Sequence, residues 1–232
     1  MTSARRSAFF DADETVITAK SMFAFLRHWM ALNGDSGPGY DRVMADIRAL
    51  AANNVDRSEI NRTYYRLFKG VPQRELTAAG REWYAGYRAG PTAFVGATLD
   101  ALDAHRAAGD LICLVSGSFR AVLQPLAEEI AADVILCTEP VVTADGLLSG
   151  EVHRPMIGAA KSAAVADTIA AHGLSPANCY GYGDHLSDLG LLEQVGNPHV
   201  VDVDPALVAL AKERGWPVLS SAPAPARRAA DR

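Results

Sequence analysis

Four short stretches of this chain hold side chains that could do chemistry together. The first is Phe9-Phe-Asp-Ala-Asp-Glu-Thr15, an apolar run that ends abruptly in two carboxylates, Asp11 and Asp13. At spacing i, i+2 on extended backbone both point to the same side. One carboxylate of such a pair can attack while the other moves protons. The second stretch is Leu111-Ile-Cys-Leu-Val-Ser-Gly-Ser-Phe119, where a buried-strand pattern ends in Ser116 and Gly117 and a helix is expected from about Ser118. A hydroxyl beside the free N–H groups of a helix start makes an anion site. The third is Lys161, in the first turn of a helical pattern over Gly158–His172. A cation there opposes the helix dipole unless an anion lies in front of it. The fourth is Gly181-Tyr-Gly-Asp-His-Leu-Ser-Asp-Leu189, which again places carboxylates, Asp184 and Asp188, at a strand end. Taken singly, each has an ordinary explanation as a helix cap, a turn or a surface charge.

The elements around these residues would bring them together. Ser7–Phe10, Leu111–Val115, Asp133–Cys137, Asn178–Tyr182 and His199–Val203 are short apolar runs that read as buried parallel strands. Between the later runs lie helical patterns at Pro91–Ala108, Phe119–Ala131, Gly158–His172 and Leu186–Val195, with Pro91 suited to a first helical turn. The alternation predicts an α/β fold, a doubly wound, mainly parallel Rossmann-like sheet. Ligands of such sheets bind at the carboxyl ends of the strands, which is where all four stretches lie.

The alternation is interrupted from Ala19 to Gly90. A structureless loop of that length is implausible, and Ser21–Asn33, Tyr40–Asn53, Ser58–Lys69 and Gln73–Tyr87 read as helices. The expected organisation is a core domain from residues 1–18 and 91–219, an inserted helical cap domain over 19–90, and a disordered tail over 220–232. A hairpin is expected at Glu139–Pro155, turning at Asp145-Gly146. The cap has eleven Lys/Arg and seven Asp/Glu, so it is positive over an acidic remainder. Its aromatics Phe23, Trp29, Tyr64, Tyr65 and Phe68 sit at helical spacing and read as core.

Charge sharpens the chemistry. Like charges about 4 Å apart cost about 4 kcal/mol even at an effective dielectric of 20. A divalent cation removes that cost, and hard oxygen ligands with no Cys or His cluster point to Mg²⁺ rather than zinc. The chain carries a net charge of −5 and no basic face for nucleic acid. No apolar run has the length of a membrane span. Three scattered cysteines, Cys113, Cys137 and Cys179, suit a reduced, cytoplasmic setting.

Asp11-Ala-Asp-Glu-Thr15, Ser116, Lys161 and Gly183-Asp-His-Leu-Ser-Asp188 together resemble the four motifs of the haloacid dehalogenase-like (HAD) hydrolases, in their phosphoserine-phosphatase-like branch. The resemblance implies a Mg²⁺-dependent phosphatase, with Asp11 as nucleophile and Asp13 as proton donor and then acceptor. It implies a metal held by Asp11, the Asp13 carbonyl and Asp184, with Asp188 supporting that site. Ser116, Gly117 and Lys161 would hold the phosphoryl oxygens. The expected partner is a small-molecule phosphate ester, with no nucleic acid and no membrane, and the chain acting as monomer or homodimer. The family's substrate-amine Glu, nine residues after the nucleophile, is here Lys20, which speaks against phosphoserine. Lys20, His185, Arg62 and Arg66 are the residues expected to touch substrate. The same residues could serve a phosphotransferase or mutase, or a non-catalytic phospholigand-binding protein.

Overall fold

The central strand is β1 (Ser7–Asp11), buried along its whole length. Its side chains alternate between two apolar layers: Ala8 and Phe10 join one cluster and Phe9 the other. A strand buried on both faces calls for helices on both sides of its sheet. The computed structural model, which describes residues 5–225, has this arrangement.

The remaining strands are β2 (Leu111–Phe119), β3 (Val134–Thr138), β4 (Pro140–Val142), β5 (Leu148–Val152), β6 (Cys179–Gly183), β7 (Asn197–Val201) and β8 (Val218–Leu219). The main sheet has the order β3-β2-β1-β6-β7-β8 and every pairing in it is parallel. The chain runs outward from β1 to one edge and then returns to build the other half, so the order reverses beside β1. That reversal opens a crevice at the carboxyl end of β1, the usual ligand position in such sheets. Strands β4 and β5 form the separate antiparallel hairpin expected around Asp145-Gly146.

The helices are α1 (Ser21–Leu32), α2 (Pro38–Ala52), α3 (Arg57–Arg66), α4 (Gln73–Arg88), α5 (Gly96–Ala108), α6 (Arg120–Glu129), α7 (Ala159–Ala171), α8 (Leu189–Leu192) and α9 (Pro205–Arg214). One sheet face is covered by α7, α8 and α9 through Val165, Ile169, Leu191, Leu192 and Leu207. The other is covered by α5 and α6 through Leu99, Leu102, Val122 and Leu126. Each such side chain contributes about 1.5–3 kcal/mol when fully buried.

The helices α1–α4 do not stand apart from this second layer. Phe25, Tyr65 and Phe68 pack on Phe119, with ring centroids 5.6, 5.4 and 6.0 Å away. Helix α4 approaches α6 so closely that a Cβ on Gly80 would lie 2.0 Å from the Ala121 carbonyl oxygen. The contact therefore admits only glycine at that position. Tyr64, Tyr65 and Phe68 are core, as their spacing suggests, and Trp29 packs against them. Phe23 is half-buried and turns to the cavity described below.

Three stretches differ from the sequence expectation. The pattern expected as one helix over Leu186–Val195 is a tight turn at Leu186–Asp188 followed by the four-residue helix α8. Helix α5 starts at Gly96, not at Pro91. Residues 93–95 are engaged instead with the loop after β1: Thr18 N–H donates to the Ala93 carbonyl and Val95 N–H to that of Val16, both at 3.0 Å. The segment at 220–225 is also tied down rather than disordered. Ala224 N–H donates to Phe94 at 2.8 Å and Gly96 N–H to Ala222 at 3.0 Å. The remainder of the expected disordered tail lies outside the described residues. No described helix is long and apolar enough to cross a membrane.

Candidate active site

Asp11 is the last residue of β1, so its side chain emerges at the crevice. The chain then turns sharply. Val16 and Ile17 N–H groups both donate to the Ala12 carbonyl, at 2.9 and 3.0 Å. Glu14 takes a left-handed conformation with φ of 57°, an uncommon state for a residue with a Cβ. This turn folds Asp13 back over the strand end and buries Thr15 completely.

Strand β2 supplies the opposite wall. Its register against β3 shifts between Ser116 and Phe119, and such a bulge re-aims the residues within it. Ser116 and Ser118 are buried, and Ser116 Oγ accepts the Ser118 N–H at 3.0 Å. The Gly117 carbonyl is held by Asn61 Nδ2 at 2.9 Å, Tyr65 OH at 3.1 Å and Thr138 Oγ1 at 2.9 Å. Two of those donors come from α3, so α3 is bonded directly to the loop expected to hold phosphate.

Strand β6 ends at Gly183 and is followed at once by Asp184, and a single tight turn, Leu186–Asp188, returns Asp188 to the same place. Gly183 makes this possible, because a Cβ there would lie 2.7 Å from the Asp188 Cβ. Asp184 accepts a hydrogen bond from Thr15 Oγ1 at 3.0 Å. Lys161, the third residue of α7, completes the floor. Its Nζ lies 2.5 Å from Asp11 Oδ1 and 2.6 Å from Asp188 Oδ1. The misplaced cation of the sequence thus faces two anions.

These groups are all buried: Asp11 is 5% exposed, Asp184 4%, Asp188 1% and Lys161 4%. Carboxylate oxygens of Asp11, Asp184 and Asp188 lie within 4.8 Å of one another. Three carboxylates against one ammonium leave the cluster negative in a place where little of it meets solvent. Burial, with Asp188 and Asp184 adding to it, pushes the Asp11 carboxyl well above its ordinary value despite Lys161. Burial likewise carries Asp184 up to about 6. Asp13 also rises to about 6 through burial, and its Oδ1 has no hydrogen-bond partner among the described residues. Burial works to lower the Lys161 pKa, but the Asp11 and Asp188 carboxylates outweigh it and hold it above the ordinary lysine range. A hard divalent cation fits this donor set, since it would supply the missing positive charge through oxygen ligands. Both Asp188 oxygens already have partners, Lys161 and the His185 N–H at 3.2 Å. Asp188 therefore braces the cluster, while Asp11 and Asp184 face it.

Above the floor is a cavity of about 380 Å³. Asp11, Asp13, Ser116, Gly117, Lys161 and Asp184 line its base. Lys20 and His185 lie at its edge. Lys20 pairs with Glu14 at 3.1 Å and its side chain is 57% exposed. His185 lies 2.9 Å from Arg57 of α3; burial and then this guanidinium push the His185 pKa down. Arg62 and Arg66, expected at the substrate, are elsewhere. Arg62 donates to the Val152 carbonyl at 3.1 Å, and Arg66 pairs with Glu59 at 2.8 Å. They lie on the stripe of α3 turned to the hairpin. The stripe facing the cavity is Arg57, Ile60, Asn61 and Tyr64. Helix α2 adds Met44, Ile47, Arg48 and Ala51, spaced i, i+3, i+4, i+7. That spacing was visible in the sequence; which way it faced was not.

Residues 8–193 match the family model of the haloacid dehalogenase-like hydrolases. A probable phosphatase of Mycobacterium tuberculosis is 31% identical over 94% of this chain and 76% of its own length. An inhibition of morphological differentiation protein of Streptomyces azureus is 30% identical over 93% of this chain and 78% of its own. Among solved structures, a Bordetella pertussis protein of unknown function superposes with a TM-score of 0.82 at 26% identity, covering 94% of this chain and all of that one. A phosphoserine phosphatase captured as an analogue of its phospho-aspartyl intermediate shares the fold, with a TM-score of 0.68 at 17% identity over 95% of each chain. The Rossmann-like sheet, the acidic floor and these matches agree: the chain belongs to the haloacid dehalogenase-like hydrolase family and is phosphoserine-phosphatase-like in fold.

Proposed function

We propose that this chain is a Mg²⁺-dependent phosphatase that hydrolyses a small-molecule phosphomonoester through an aspartyl-phosphate on Asp11. The observation that carries the reading is the buried contact of Asp11 with Lys161 at 2.5 Å, beside Asp184 and Asp188. A carboxylate held at a strand end, next to one cation and in need of a second, is arranged to receive a phosphoryl group rather than to stabilise the fold.

In the first half-reaction an Asp11 oxygen attacks phosphorus in line with the ester oxygen, and the P–O bond to the alcohol breaks. Asp13, whose raised pKa keeps part of it protonated near neutral pH, donates its proton to the departing alkoxide. In the second half-reaction Asp13, now a carboxylate, takes a proton from water as that water attacks phosphorus. The bond to Asp11 breaks, and inorganic phosphate leaves. Lys161, the Ser116 hydroxyl and the Gly117 N–H hold the phosphoryl oxygens throughout, the positioning and charge neutralisation that phosphoryl transfer needs most. Asp11, Asp184 and the Asp13 main-chain carbonyl would hold Mg²⁺, which would supply positive charge against the developing phosphoryl charge. Helices α1–α4 act as the cap over this floor.

Lys20 stands where an amine-binding carboxylate would be needed, which supports a substrate other than phosphoserine. Purified protein is expected to hydrolyse p-nitrophenyl phosphate with Mg²⁺ and to stop when EDTA is added. Turnover unaffected by EDTA, or retained in Asp11→Asn, would contradict the proposal.

A further inference from the structure

The base of the cavity is acidic, but much of the wall above it is apolar. Met22 and Phe23 of α1, Met44 and Ile47 of α2, and Ile60 of α3 all face the space over Asp11 and Lys161. Ile157, next to the start of α7, joins this lining beside Gly117. The cap offers this space no carboxylate at all; the one acidic group nearby outside the floor, Glu14, is paired with Lys20. The cap's polar contributions are Asn61, whose amide nitrogen is spent on Gly117 and whose Oδ1 has no partner among the described residues, the Tyr64 hydroxyl, which donates to the Met22 carbonyl at 2.7 Å, and three cations, Lys20, Arg48 and Arg57. Ile47 is only 6% exposed, so most of its side chain is packed against its neighbours and the part that meets the cavity is held in place.

An alcohol bound here must exchange water for methyl, thioether and phenyl groups. A sugar would leave several hydroxyls without partners, each at a desolvation cost. An amino acid would bring an ammonium group to a wall whose only formal charges are positive. A hydrocarbon suffers neither penalty and gains from burial. The volume, about 380 Å³, falls in the range of small-ligand pockets, about 300–1,000 Å³, and leaves room beyond a phosphate.

We infer that the substrate's alcohol is apolar: the cavity takes a phosphomonoester whose body is a hydrocarbon chain or ring, with its phosphate on Lys161 and its carbon skeleton against Met44, Ile47 and Ile60. This rests on the phosphatase reading above and narrows its substrate class. Arg48 and Arg57 at the edge attract the dianionic ester from solution and disfavour cations.

The test is a homologous series of n-alkyl phosphates, ethyl to octyl, compared with O-phosphoserine and glucose 6-phosphate. The expected kcat/KM rises about fourfold per added methylene, the equivalent of ~0.8 kcal/mol, until the cavity is filled. Both polar esters are expected to fall below the longer alkyl phosphates. Met44→Gln keeps the side chain's length and sits at a half-buried position, and Ile60→Thr removes little volume; each should flatten the rise with chain length. A flat or falling series in the wild type, or phosphoserine or the sugar phosphate exceeding octyl phosphate, overturns the inference while leaving the phosphatase reading intact. If no ester is hydrolysed, the phosphatase reading fails. Affinity for n-alkyl phosphonates, measured by calorimetry over the same lengths, then decides this inference separately: tightening with length supports it and constant affinity overturns it.

Discussion

Two polar networks with buried carboxylates sit at opposite ends of the same strands. At the carboxyl ends, Asp11, Asp184 and Asp188 surround Lys161. At the amino ends, Arg6 makes a two-bond fork to Asp110 at 2.8 and 2.9 Å, and His105 Nδ1 lies 2.7 Å from the same carboxylate. His105 Nε2 lies 2.9 Å from the Tyr182 hydroxyl. In this lower network one guanidinium meets one carboxylate, and the two ring nitrogens of His105 reach Asp110 and Tyr182 at once. Burial works against the Asp110 charge, but Arg6 and His105 outweigh it and hold that carboxyl below its ordinary value. In the upper network burial wins, and Asp11 and Asp184 are pushed up. A buried carboxylate is common to both ends, although the Arg6 side chain that answers the lower one is 39% exposed. What separates a structural network from a reactive one is whether the protein itself balances the charge.

That contrast can be broken first at Asp11. Asp11→Asn is expected to remove phosphatase activity by roughly 10⁴-fold or more, as loss of a nucleophile does. It should also leave the fold intact or firmer, because one uncompensated charge is gone; activity assays and urea unfolding read the two effects. Lys161→Met, by contrast, strips the only cation from the cluster. It should destabilise the metal-free protein by about 3–5 kcal/mol, and Mg²⁺ should recover part of that loss in thermal melts.

The wild type itself is expected to gain stability from Mg²⁺. The gain is about 2.7 kcal/mol at a hundred times the dissociation constant, and it should vanish in Asp184→Asn. The lower network should ignore the ion. Asp110→Asn is expected to cost about 1–3 kcal/mol of stability with kcat/KM changed less than about twofold. Because the Asp110 pKa is depressed in the fold, its contribution is complete above the unfolded carboxylate pKa, about 3.9. It is lost as pH falls through the lower folded value. The variant should therefore show a shallower stability loss below about pH 4 in acid-unfolding curves.

The upper network was legible in the sequence because its residues stand at strand ends, where a short apolar run stopping in Asp is a sharp signal. Asp11, Ser116, Lys161 and Asp184 lie more than a hundred positions apart at the extremes, and only the parallel sheet brings them together. The lower network left no such mark: Arg6, His105 and Asp110 read as ordinary surface charges until β1 and β2 are paired. The cap was legible as helices but not as a surface. Arg57 and Arg62 are five residues apart, about 140° around a helix, so one faces the cavity and the other the hairpin. Nothing local fixes that rotation; it is set by Tyr64, Tyr65 and Phe68 packing on Phe119. The start of α5 was misread because Pro91 satisfies a helix-start rule, while backbone pairing of Ala93 and Val95 with the β1 loop, a tertiary contact, decides otherwise.

The central claim is that Asp11 carries the phosphoryl group during turnover. Acid quenching during steady-state hydrolysis, followed by peptide mass spectrometry, tests it directly. One phosphoryl group on the peptide containing Asp11, absent in Asp11→Asn and in protein without Mg²⁺, is the expected result. Continued turnover with Asp11 unmodified, or with the phosphoryl group on another residue, would contradict the account.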